Sequence, residues 1–139
     1  MDARDLAGWL VEMAEQGRSG AVNATGPTGM TTLGELLGTC REVTGGDAEW
    51  VPVPEEDLLA AGVEPWIHLP LWLPAADART AWDVDTSRAR ELGLPVRPLV
   101  ETVRDTWAWQ QTDRRPFDSP NGLPRPGLPA DLEATLLGP

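Results

Sequence analysis

At 139 residues the chain has room for one domain with a modest core. Its formal net charge of −11 sets it against nucleic-acid backbones and anionic membrane surfaces, which repel it at long range. The single Cys40 leaves no internal disulfide framework, no apolar run approaches a membrane span, and no basic-then-apolar leader precedes the first helix, so a reducing, cytoplasmic setting is expected.

With 14 glycines and 14 prolines, the elements must be short. Residues 2–16 predict a helix with Leu6, Trp9, Leu10 and Met13 on one side, stopped by Gly17. Residues 20–25 are small, β-tolerant and weakly alternating, as in a short strand, and Gly26-Pro27-Thr28-Gly29 turns the chain. Thr32 and Glu35 stand at capping-box spacing and open a helix over 32–43 that would bury Leu33, Leu36, Leu37 and Cys40. A second strand is expected at 49–53, then a brief helix over 54–61 with Pro54 in its first turn. Prolines 65, 70 and 74 exclude a regular element between 64 and 74.

The longest organised stretch runs from Asp83 to Trp109. Asp83, Asp85, Thr86 and Ser87 carry short side-chain oxygens suited to a helix start, and a helix over 87–92 is stopped by Gly93. After the extended Pro95 and Arg97-Pro98, a longer helix places Leu99, Val103, Thr106, Trp107 and Gln110 near one face. The organisation expected is a body over 1–111, a Pro-rich linker over 112–128 and a helical tail over 129–139.

Asp85-Thr86-Ser87-Arg88-Ala89, Leu92-Gly93 and Arg97-Pro98-Leu99-Val100-Glu101-Thr102-Val103-Arg104 together resemble the C-terminal end of the extended short-chain dehydrogenases, the NAD-dependent epimerase/dehydratase family. Arg4-Asp5-Leu6-Ala7, Asn23-Ala24-Thr25-Gly26-Pro27, Gly62-Val63-Glu64-Pro65-Trp66 and Leu69-Pro70-Leu71-Trp72 extend the resemblance over nearly the whole chain. It implies an α/β fold, two or three short strands among short helices, corresponding to the substrate-binding part of such an enzyme without its Rossmann core. It also implies NAD(P) for a complete homologue. This chain has no tyrosine and no lysine, so the family's Tyr-x-x-x-Lys pair is missing, and no G-x-G-x-x-G follows a strand. No cofactor, metal or catalytic residue is therefore assigned to this chain. In the family, the first helix is entered from a strand, so Met1 is expected to stand where a longer chain was cut.

The substrate-binding candidates are Trp66, His68, Trp72 and Arg97. The first three lie in the densest aromatic segment, where apolar walls and one imidazole could border a small molecule or simply pack. Arg97 could fork onto a phosphate or carboxylate, or pair with Asp83, Asp85 or Glu101. Two functions stay open. One is the substrate-binding C-terminal portion of an NAD(P)-dependent epimerase, dehydratase or reductase, incomplete alone. The other is a non-enzymatic interaction module that associates with a separate Rossmann-type partner or with itself, through residues such as Leu6, Leu10, Trp107 and Trp109.

Overall fold

The computed structural model describes residues 1–112 and 126–138. Among them are seven helices: α1 (Ala3–Glu15), α2 (Leu33–Thr44), α3 (Glu55–Ala60), α4 (Ala75–Trp82), α5 (Ser87–Glu91), α6 (Leu99–Thr112) and α7 (Ala130–Leu137). The expected 112–128 linker lies largely outside the described residues.

The α/β expectation is overturned, because no strand is present among the described residues, only an isolated bridge between Pro65 and Leu69. A strand is defined by a hydrogen-bonded neighbour, and neither 20–25 nor 49–53 has one. The side-chain pattern read at 20–25 is still visible. Val22 and Ala24 pack against the core while Ala21, Asn23 and Thr25 stay exposed, but the backbone is not straight, since Gly20 sits at φ 119° and the Thr25 N–H donates back to the Asn23 carbonyl at 3.1 Å. At 49–53 even that is lost, and Trp50 and Val51 are exposed.

Helix α1 begins where its chemistry requires. The Asp2 carboxylate accepts from the Arg4 N–H at 2.8 Å, and Asp5, Trp9 and Met13, four residues apart, form its buried face. Gly17 ends it at φ 63°, letting the Arg18 N–H turn back to the Met13 carbonyl at 2.9 Å. Helix α2 carries the capping box in full. The Glu35 N–H donates to Thr32 Oγ1 at 3.2 Å, and the Thr32 N–H donates to Glu35 Oε2 at 2.7 Å. Replacing Thr32 by alanine is expected to cost about 1 kcal/mol, read as a shift in urea midpoint with unchanged slope. Helix α2 packs on α6, yet none of its residues is fully buried, and Leu33 lies at the surface.

Helices α3, α4 and α7 share one start. Pro54, Pro74 and Pro129 each sit at the N-cap with ψ of 144°, 145° and 141°, extended residues whose carbonyls accept the first helical bonds. Pro54 is therefore the cap and not the first helical residue. No element is expected over 75–82, yet α4 forms there, with Ala75, Ala76, Asp77 and Ala78 as ordinary helix residues behind such a proline.

The core is small. Trp9 and Met13 of α1 meet Ala89 of α5 and Leu94 beyond it, with Leu6, Val22, Ala24 and Leu92 at the margin. Trp9 Nε1 donates to the Leu92 carbonyl at 2.9 Å, so the indole is anchored at its polar end as well as packed. Leu58 and Val63 are buried around the end of α3, and Val103 is the buried residue of α6. Among the described residues, no large side chain is completely enclosed. No helix among the described residues is long and apolar enough to cross a membrane.

Candidate functional site

The 64–74 segment is held by main-chain and side-chain bonds rather than by regular structure. His68 N–H donates to the Glu64 carbonyl at 3.0 Å, and the Glu64 N–H donates to His68 Nδ1 at 3.0 Å. With Nδ1 taken by a main-chain amide, Nε2 is the ring nitrogen that this bond does not use. His68 is thus engaged structurally at one nitrogen. The Ile67 carbonyl accepts from the Gly127 N–H at 2.8 Å, fastening the approach to α7 onto this loop, and Glu55 Oε2 accepts the Ala75 N–H at 2.7 Å.

Two residues of this loop, Trp66 at φ 64° and Leu71 at φ 67°, occupy the left-handed region that favours glycine. Such a residue costs of order 1–3 kcal/mol, met here by the surrounding bonds. Replacing the exposed Leu71 by glycine is expected to leave stability unchanged or raise it by up to about 1 kcal/mol, since relief of strain offsets the added freedom of the unfolded chain. An equilibrium urea titration reads this. A loss comparable to a core truncation would show that no strain is stored there.

The Trp66 indole stands beside Trp82 at the end of α4, with ring centroids 5.6 Å apart and planes tilted by 42°. Both remain close to half exposed, at 47% and 45%. Trp72 is half-buried. Of the four candidates, then, Trp66 and His68 are positioned by one loop, and Trp66 gains a partner in Trp82, which arrives on the unexpected helix α4.

Arg97 is elsewhere. Its backbone N–H donates to Asp5 Oδ2 at 2.9 Å, and its Nε and Nη2 reach Asp5 Oδ1 at 2.9 and 2.7 Å. The expected partners Asp83, Asp85 and Glu101 are replaced by a carboxylate 92 positions away. Asp85 instead accepts the Ser87 N–H at 2.9 Å, capping α5 from one residue ahead of its N-cap, Thr86. Beside Arg97, Asp2 is a second buried carboxylate, taking Arg4 Nε at 2.9 Å, Arg4 Nη2 at 2.7 Å and Thr102 Oγ1 at 2.7 Å, while Arg4 Nη1 continues to Asp105. The Arg4 side chain and then Thr102 hold Asp2 far below the usual carboxylate range, and Arg97 lowers Asp5. Both guanidinium groups are correspondingly raised, Arg4 by Asp2 first and Arg97 by Asp5. This network ties the start of α1 to α6 and leaves Arg97 engaged with protein carboxylates. Arg4-Asp5 and Arg97-Pro98 are both visible in the sequence, but nothing local pairs them.

A shallow groove of about 330 Å³ lies between α2 and α6, lined by Glu42, Val43, Val100, Arg104, Trp107 and Ala108. It is at the lower end of ligand-pocket sizes and was not legible beforehand, since it depends on how the two helices cross. Among the described residues, no group of three His, Cys, Asp or Glu side chains is arranged to hold a metal ion. Comparison with protein-family models, with curated proteins and with solved structures found no match to this chain.

Proposed function

We propose that this chain is the substrate-binding C-terminal portion of an NAD(P)-dependent epimerase, dehydratase or reductase of the extended short-chain type, acting in the cytoplasm and incomplete as a catalyst alone. The observation that carries the reading is where its family-like residues lie. Thr86 and Ala89 of the Asp85-to-Ala89 motif are buried, and Arg97 of the Arg97-Pro98 motif is clamped by Asp5 of Arg4-Asp5, so the motifs form one packed unit. Trp66, with Trp82 beside it, His68 Nε2 and the half-buried Trp72 are the groups we assign to the substrate side.

In this proposal NAD(P) belongs to the other half of the enzyme, since the sequence has no tyrosine and no lysine and, among the described residues, no Gly-rich turn joins a strand to a helix. The isolated chain titrated with NADH is expected to give no saturable signal, and micromolar binding would overturn the assignment. In the complete enzyme, His68→Ala should lower kcat/KM far more than Tm; equal losses would mean packing only.

A second reading, an interaction module, is favoured by one specific observation. Leu10, Val11, Trp50, Val51 and Trp109 are large apolar residues left about half exposed or more. Leu6 and Trp107, expected on the same surface, are instead partly buried.

A further inference from the structure

We propose that the groove between α2 and α6 binds an α-amino acid with an apolar side chain, held as its zwitterion. The site shares no residue with the groups assigned to the substrate side and does not rest on that reading.

Its lining divides by chemistry. Val43, Val100, Trp107 and Ala108 supply apolar wall, and Glu42 and Arg104 supply one charge of each sign. A volume of about 330 Å³ admits one small molecule and is too small for a helix. The two charges come from different helices, Glu42 from α2 and Arg104 from α6, and both are exposed. Among the described residues neither forms an ion pair, with the other or with any other group. Asp105, next to Arg104, is taken by Arg4, and Glu101, one turn earlier, does not reach the Arg104 guanidinium. A carboxylate and a guanidinium therefore border the same groove without satisfying each other.

The helix ends have the same polarity. Glu42 and Val43 lie in the last turn of α2, at the negative end of its dipole, and their carbonyls accept no hydrogen bond among the described residues. Arg41, the one base of that turn, does not line the groove. Val100 and Arg104 lie in the first half of α6, toward its positive end. An ammonium is thus favoured on the α2 side and a carboxylate on the α6 side, where Arg104 can meet it with two parallel N–H bonds. Trp107 and Ala108 are left for an apolar body. An apolar amino acid carries all three parts, and its zero net charge spares it the repulsion that a chain of net charge −11 exerts on a simple carboxylate. A shallow groove predicts weak binding, with a dissociation constant on the order of 1 mM.

Nuclear magnetic resonance of the full chain tests this with L-leucine and three probes that each lack one part. Isocaproate has no ammonium, isoamylamine no carboxylate, and glycine no apolar body. Leucine is expected to shift the Trp107 indole N–H and the Ala108 methyl signals saturably, and each partial probe to bind at least about tenfold more weakly. Glu42→Gln and Arg104→Gln change exposed side chains, and an unaltered Tm shows that they fold. Each should weaken leucine at least about fivefold, while Glu42→Gln leaves isocaproate no weaker and Arg104→Gln leaves isoamylamine no weaker. The proposal is overturned if leucine gives no saturable shift at those signals up to about ten times the expected constant. It is overturned equally by a partial probe that matches leucine, or by leucine binding that either substitution leaves unchanged.

Discussion

Trp9→Ala is expected to abolish cooperative folding. Trp9 is 4% exposed and stands between α1 and the turn after α5, so truncation removes the largest member of the core that joins them. Losses for such a change run to about 3–5 kcal/mol, a large share of what a small domain has in total. The indole also satisfies the Leu92 carbonyl. Trp9→Phe separates the two contributions, since it retains most of the apolar surface but leaves that carbonyl unpaired, for an expected cost of about 1–3 kcal/mol. Urea unfolding followed by far-ultraviolet circular dichroism should show a lowered midpoint for Trp9→Phe and no transition for Trp9→Ala. An alanine variant with an unchanged midpoint would place the stabilising core elsewhere.

Acid is expected to loosen the fold through Asp2 and Asp5, and the direction follows from their pKa shifts. Both carboxyls lie lower in the folded chain than in the unfolded one, by hydrogen bonds from Arg4 and Thr102 and from Arg97 respectively. Their contribution is therefore fully present above the unfolded value and is lost as pH falls through the folded one. Loss should begin near the ordinary aspartate value of about 4 and continue below it. At neutral pH, Arg97→Ala should destabilise clearly more than Thr32→Ala, because it strands the 7%-exposed Asp5 side chain without its partner. Asp5→Asn should lower stability at neutral pH and flatten the acid limb, the two curves converging as pH falls. Parallel curves for Asp5→Asn and the parent would mean that Asp5 titrates alike in both states and the clamp contributes nothing.

Much of the local structure was legible from residue chemistry. The Asp2 cap and Gly17 stop of α1, the Thr32 and Glu35 box, and the breaks at Gly62 and Gly93 each depend on a few neighbouring residues, and all are present. The site was legible only in part. Trp66 and His68 could be singled out, but their surroundings could not, because Trp82 arrives from α4 and Nδ1 of His68 is taken by a main-chain amide. Arg97 stands out in the sequence as an arginine at an extended turn, but its partner is Asp5, brought in by α1, and not one of the carboxylates nearest to it in sequence.

Strands mark the boundary between the two kinds of information. By itself the sequence determined the caps and stops of most helices, though not α4, and the in-out alternation at 20–25, because caps, φ preferences and side-chain polarity act within a few residues. Only the tertiary structure decided that this alternation forms no sheet, that Arg97 closes on Asp5, and that Trp66 meets Trp82. Each of those depends on a partner distant in the chain, and no local propensity supplies a partner.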